Sequence, residues 1–198
     1  MPHWKKLQRV NHMSALTEFL DAWAHRDTGE NHEPVVLHHT TYGNINSTGE
    51  LGNYAGHALT PWHPQFEASL EPGVRELILR LNDLNWITYT SCEGHRYEGV
   101  ALMPTERHVG ILPRSVAEAG DIAQLLRRVS AQVNRRAPLR AVRVTVLRHR
   151  LDSEGQAHEA IDLFFSRKRF YPWRVYFRHL DDAYRQFLEA LTAHMRGR

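Results

Sequence analysis

The chain has 198 residues, 42% of them hydrophobic, with a formal net charge of +3 and a single cysteine. That length suits one globular domain with an appended arm. No apolar run approaches the roughly 20 residues of a membrane span, Met1-Pro2-His3-Trp4-Lys5-Lys6 lacks the apolar core of a secretory signal, and one cysteine excludes an intramolecular disulfide framework, so a reduced thiol in a cytoplasmic protein with no membrane partner is expected.

Ser14 to Ala24 reads as a helix. Ser14 suits the cap, Thr17-Glu18 the first turn, and Leu16, Phe19, Leu20 and Trp23 share one apolar face. His25 to Pro34 is polar and ends it, and Val35-Val36-Leu37 suits a short strand. From His38 to Pro64 no period survives, and the segment is rich in Gly, Asn, Thr and His. Loops this long are uncommon in compact domains unless functional or disordered. Two readings stand: a lid carrying His38, His39, His57 and His63 toward a site, or a mobile arm. Residues 1–70 thus read as a helix plus a long loop, and 71–198 as a core domain.

Pro72-Gly73 opens a helix with Val74, Leu77, Ile78, Leu81 and Leu84 on one face, ended by Asn82 to Asn85. Trp86 to Thr90 and His108 to Leu112 read as strands. Ser115 caps a long helix with Val116, Ile122, Leu125, Leu126, Val129 and Val133 inward. Val142, Val144 and Val146 alternate as a half-buried strand, Asp152 to Gly155 turns, and Ala160 to Phe165 returns as its partner. Val175-Tyr176-Phe177 suits a short extra strand before a last helix from Asp181 to Met195. The core order α-β-β-α-β-β-α predicts an α+β fold, a mainly antiparallel sheet covered by helices.

Thr90-Ser91-Cys92-Glu93-Gly94-His95-Arg96 follows the first core strand and holds the only thiol. Strand-to-loop junctions are where binding and catalytic groups concentrate. Three chemistries fit. Cys92 can be a nucleophile activated by His95 or Arg96. Cys92 and His95 can be half of a zinc site, with His108, or else His57 or His63, as a further ligand and Glu93 as a base. Or Ser91, Gly94 and the backbone can form an anion nest clamped by Arg96. The competing bland reading is a buried cysteine acting as a small hydrophobe. So many polar neighbours are not called for by apolar packing.

The stretch from Pro72-Gly73-Val74 through Leu77-Ile78 and Leu81-Asn82 to Thr88-Tyr89-Thr90-Ser91-Cys92-Glu93-Gly94-His95 resembles the signature of the tRNA wybutosine-synthesizing protein 3 family. Glu93 stands where that family has Ser, and His95 where it has Arg. The resemblance implies an α+β enzyme using S-adenosylmethionine for methyl transfer to a modified tRNA guanosine. In that setting Thr90, Ser91 and Gly94 shape the pocket, Arg96 holds an anionic group, and Cys92, Glu93 and His95 are the catalytic candidates. Outside that class, the same loop suits a non-enzymatic module binding an anion or a partner, or a zinc-dependent hydrolase.

Bases and aromatics interleave from Phe164 to Arg178, including Arg167-Lys168-Arg169-Phe170-Tyr171, Trp173-Arg174 and Phe177-Arg178. Cations for phosphate and aromatics for base stacking are the means by which proteins hold nucleotides and RNA. Arginines on a solvated face with aromatics in the core give the same composition.

Overall fold

The computed structural model describes residues 11–12, 16–25, 35–39, 54–64, 66–96, 104–136 and 141–196. Two compact units divide the chain: Met1–Leu70 with His149–Ala160, and Glu71–Arg148 with Ile161–Arg198.

The first unit holds β1 (Asn11–His12), α1 (Leu16–His25), β2 (Val35–His39), β3 (Tyr54–Ala58) and α2 (Phe66–Ser69). Leu16, Phe19, Ala22 and Trp23 form the buried stripe of α1, with Phe19 and Trp23 edge to face at 6.0 Å. β2 and β3 pair antiparallel from Val35↔Ala58 to His39↔Tyr54. Part of the segment expected to lack structure is therefore a strand pair. Residues 40–53, and the cap position Ser14, lie outside the described residues.

The second unit follows the expected order: α3 (Pro72–Asp83), β4 (Ile87–Cys92), β5 (Arg107–Leu112), α4 (Val116–Arg136), β6 (Val142–Ser153), β7 (Gln156–Arg167) and α5 (Trp173–Arg196). The sheet order is β1-β6-β7-β5-β4. β4, β5 and β7 pair antiparallel, and β1 adds a short parallel pairing to the tip of β6. The fold is α+β. The tip of the β6–β7 hairpin belongs to the first unit and its base to the second. Its turn places both Glu154 and Gly155 at positive φ, the handedness that matches strand twist in a tight hairpin. No helix among the described residues is long and apolar enough to cross a membrane.

Local chemistry fixes the boundaries. α3 ends because Asn85 adopts φ 61, so that Trp86 N–H reaches Leu81 C=O at 3.0 Å and Asn85 N–H reaches Asn82 C=O at 2.7 Å. This is the Schellman closure. Asn134 on α4 donates to Val144 C=O at 2.8 Å and accepts its N–H at 3.0 Å, which blunts the outer edge of β6. Val175-Tyr176-Phe177 is not a strand but the first turn of α5, where Tyr176, Leu180, Ala183, Tyr184 and Phe187 continue one buried helical face. Three apolar residues carry no period of their own, so helical continuity decides. Val116 is exposed, not inward, because it directly follows the Ser115 cap, whose hydroxyl accepts Glu118 N–H at 3.1 Å.

One hydroxyl joins helix to sheet. Tyr176 Oη donates to Phe165 C=O at 2.8 Å and accepts Arg107 N–H at 3.0 Å, and those two residues are register partners on β7 and β5. Burial, the largest cause, holds its phenol far above the ordinary range. Tyr176→Phe leaves a buried N–H and a buried C=O without that partner, so we expect a loss of about 1–3 kcal/mol in urea denaturation. The native state also keeps this phenol and that of Tyr89 protonated where the unfolded chain ionises. The folded state then binds more protons, so stability should fall as pH rises past about 10, and Tyr176→Phe should flatten that fall.

Candidate functional site

The site lies where α3 begins and β4 ends. α3 has 12 residues and β4 has 6. At about 1.5 Å per helical residue and about 3.3 Å per strand residue, the two run roughly 18 and 20 Å. The Asn85 turn reverses the chain between them, so the end of β4 returns to the start of α3. That return sets Cys92, Glu93 and His95 against Glu71 and Gly73.

A bulge aims the strand. The β4–β5 register shifts between Thr88 and Thr90, and Thr90, Ser91 and Cys92 then face Gly110, Val109 and His108. Bulges commonly re-aim side chains beside functional sites. Tyr89, the extra residue, is buried and donates to Asp162 at 2.8 Å. Gly110 makes room: a Cβ there would sit 2.5 Å from both Thr90 and Tyr89 side chains.

Two carboxylates organise the loop. Glu71 is the N-cap residue of α3, yet its side chain makes no cap bond. Its Oε2 accepts Glu93 N–H at 2.7 Å, and its Oε1 meets His95 Nε2 at 2.9 Å. Glu93 supplies the missing cap from across the fold, its Oε2 accepting Gly73 N–H at 2.8 Å. Both negative charges thus stand at the positive end of the α3 dipole.

Cys92 is buried. Gly94 N–H points at its Sγ from 3.4 Å, and Thr105 Oγ1 lies 3.6 Å away. Burial, ahead of those two lowering contacts, pushes the thiol up, and Glu71 and Glu93 push the same way. A thiol so held is a poor free nucleophile. Gly94 adopts φ +83, in the region that favours glycine. Thr105 closes the neck of the loop: its Oγ1 accepts His95 N–H at 2.9 Å and its N–H donates to His95 C=O at 3.1 Å.

Glu71, Cys92 and His95 put a carboxylate oxygen, a sulfur and a ring nitrogen within 4.8 Å of one another. His108, expected as the third ligand, is not one of this group. Its ring lies 5.4 Å from that of Phe164, and Nδ1 faces Glu106 C=O at 3.4 Å. Burial holds its imidazole below the ordinary value. Arg96 is exposed, with its guanidinium 5.6 Å from the Phe177 ring centroid. Thr90 and Ser91 are half-buried on β4. The side chains of His38, His39 and His57 lie outside the described residues, and His63 belongs to the first unit.

Sequence reasoning missed Glu71, Thr105 and Arg107. Arg107 is buried, donates to Glu93 C=O at 2.8 Å and to Asp181 at 2.9 Å, and lies 4.7 Å from the Tyr184 ring centroid. The matched lengths of α3 and β4 were a usable signal for Glu71. Nothing local marks Thr105 or Arg107.

No family model, curated protein or solved structure matches this sequence.

Gly73 tests the close approach. A Cβ there would lie 2.7 Å from Glu93 Cβ and 2.8 Å from Arg107 Nη2. Gly73→Ala should therefore lose about 1–3 kcal/mol, as overpacked cores do, read as a lower urea midpoint. Gly120 has nothing within 4 Å of an added Cβ, so Gly120→Ala is the control and should leave the midpoint unchanged or raise it.

Proposed function

We propose that the chain is an enzyme acting on a nucleotide or RNA-like substrate at the Ser91–Arg96 loop. The observation that carries this reading is the pairing of Arg96 with Phe177. One residue beyond His95, a guanidinium lies on an aromatic ring that itself stacks on Trp173 at 5.8 Å. The chain leading into α5 adds Phe170, 90% exposed, and Arg169, and the first turns of α5 add Arg174 and Arg178, all three arginines exposed. Cations and π-faces side by side suit phosphate and base together.

Among the described residues, the acids beside this surface have partners of their own. Asp181 serves Arg107, Asp182 serves Arg185, and Glu106 accepts Arg167 N–H. Arg167 is structural: it packs 4.8 Å from the Trp173 ring and bonds the carbonyls of Arg169 and Tyr171. It shapes the corner from which Phe170 projects.

The resemblance to the wybutosine-synthesis family supports methyl transfer from S-adenosylmethionine as the reaction, with Thr90, Ser91 and Gly94 toward the cofactor. Without a metal at this place, proton transfer falls to His95, whose ring partner is Glu71. Calorimetric titration is expected to detect S-adenosylmethionine binding, and silence at millimolar cofactor removes the methyl-transfer version.

Substrate class has its own test. Fluorescence anisotropy with a labelled single strand of about 12 nucleotides should show binding that weakens with salt. Phe170→Ala and Arg178→Ala should each weaken it, the former by about tenfold as expected for one lost stacking contact. No binding at low salt, or full affinity in both variants, defeats the reading. Binding without turnover of any nucleotide substrate would leave a binding module.

A further inference from the structure

We infer that Glu71, Cys92 and His95 form a three-ligand site for one zinc ion, with a fourth position open to solvent. The inference goes beyond the substrate reading and stands independently of it.

The donor set selects the metal. A thiolate and an imidazole beside one carboxylate oxygen suit zinc, whereas magnesium and calcium take oxygen ligands. Tetrahedral zinc, with bonds of about 2.0–2.3 Å, holds its donors roughly 3.3–3.6 Å apart. The three donor atoms here already lie within 4.8 Å of one another, and His95 Nε2 and Glu71 Oε1 within 2.9 Å. Small side-chain rotations open the closer pair and draw in the sulfur. The ion takes the place of the direct contact between Nε2 and Oε1.

Supporting contacts match those of a metal centre. Ligands in such sites are oriented by hydrogen bonds from outside the coordination sphere. Glu71 keeps its second oxygen on Glu93 N–H, which fixes the first toward His95. Gly94 N–H and Thr105 Oγ1 face Sγ, the partners a thiolate needs. Thr105 Oγ1 also holds His95 N–H, so one hydroxyl positions two ligands. Glu93 is not a ligand, because its carboxylate caps Gly73.

Exposure decides between a closed and an open site. Cys92 is buried, but the side chains of His95 and Glu71 are 40% and 32% exposed. Among the described residues, an ion between them meets protein on the sulfur side and the exposed edges of His95 and Glu71 on the other. Structural zinc sites close with four protein ligands, and sites that do chemistry keep a position free. When bound, zinc supplies Lewis acidity and a water that ionises near neutral pH.

The experiment uses the full chain purified without chelator, loaded with excess zinc, desalted, and measured for metal content and for its cobalt(II) spectrum. We expect one zinc per chain and a sulfur-to-cobalt charge-transfer band. Cys92→Ser should abolish the band and the zinc, and Glu71→Gln and His95→Gln should weaken zinc binding by on the order of a hundredfold, while His108→Gln retains it. Thr105→Ala should weaken it by about tenfold or more, and Thr105→Ser should restore it. Added azide should shift the cobalt bands if the fourth position is open. The inference is overturned by substoichiometric zinc in the wild-type chain or by full zinc in Cys92→Ser. A spectrum that azide leaves unmoved overturns the open position. Circular dichroism of each variant separates lost metal from lost fold, and a variant that loses zinc only with its fold counts against that ligand.

Discussion

A buried guanidinium holds the second unit's functional corner together. Arg107 sits at the start of β5 with its side chain 7% exposed, so its charge must be satisfied by protein. Its formal ion pair contributes little of this, because Asp181 is 77% exposed and solvent screens it. The backbone carbonyl of Glu93 and the face of Tyr184 are the partners that count. Both are fixed by the fold, one on the motif loop and one on α5. Losing such a partner leaves a buried charge less well satisfied, which is costly. The geometry of the loop is therefore tied to the docking of α5 on the sheet.

The arginine brings a second problem that the same loop solves. Its Nη2 lies close against the first turn of α3, where the helix already carries positive partial charge. Glu71 and Glu93 answer both charges at once. Each spends one oxygen on a backbone N–H, Glu71 on that of Glu93 and Glu93 on that of Gly73. The exchange leaves Glu71 Oε1 directed at His95. A cap in the ordinary local sense would have spent Glu71 on its own helix. Capping from across the fold is what leaves that oxygen to His95.

How much of this was legible follows from contact range. The α-β-β-α-β-β-α order was readable because each element carries its own period and punctuation, such as Asn85 after α3 and Glu154-Gly155 in the hairpin. The meeting of Cys92 with His95 was readable because three residues and a glycine at φ +83 bring them together. Glu71 lies 22 residues from Glu93 and Thr105 lies 13 from Cys92, and nothing near either residue announces the contact. His108 illustrates the converse error. The strands do place it opposite Cys92. Register fixes Cα neighbours, while ring packing on Phe164 fixes where the imidazole goes. Val175-Tyr176-Phe177 erred for a different reason, since a β-prone triplet gives way to the helix that can bury Tyr176.

Consecutive residues join the two halves of the functional reading. His95 turns its ring to Glu71, and Arg96 lays its guanidinium on Phe177. The Thr105 bonds to both the N–H and the C=O of His95 fix the peptide planes from which these side chains leave. A change in how Arg96 is held, by a phosphate or by the aromatic ring, thus acts on the backbone that carries His95, a ligand of the proposed zinc site. By linkage, whatever steadies His95 would steady Arg96, and binding at either place would lower the ordering cost at the other. Substrate affinity and metal affinity should then rise together, through one peptide unit and the single threonine that grips it.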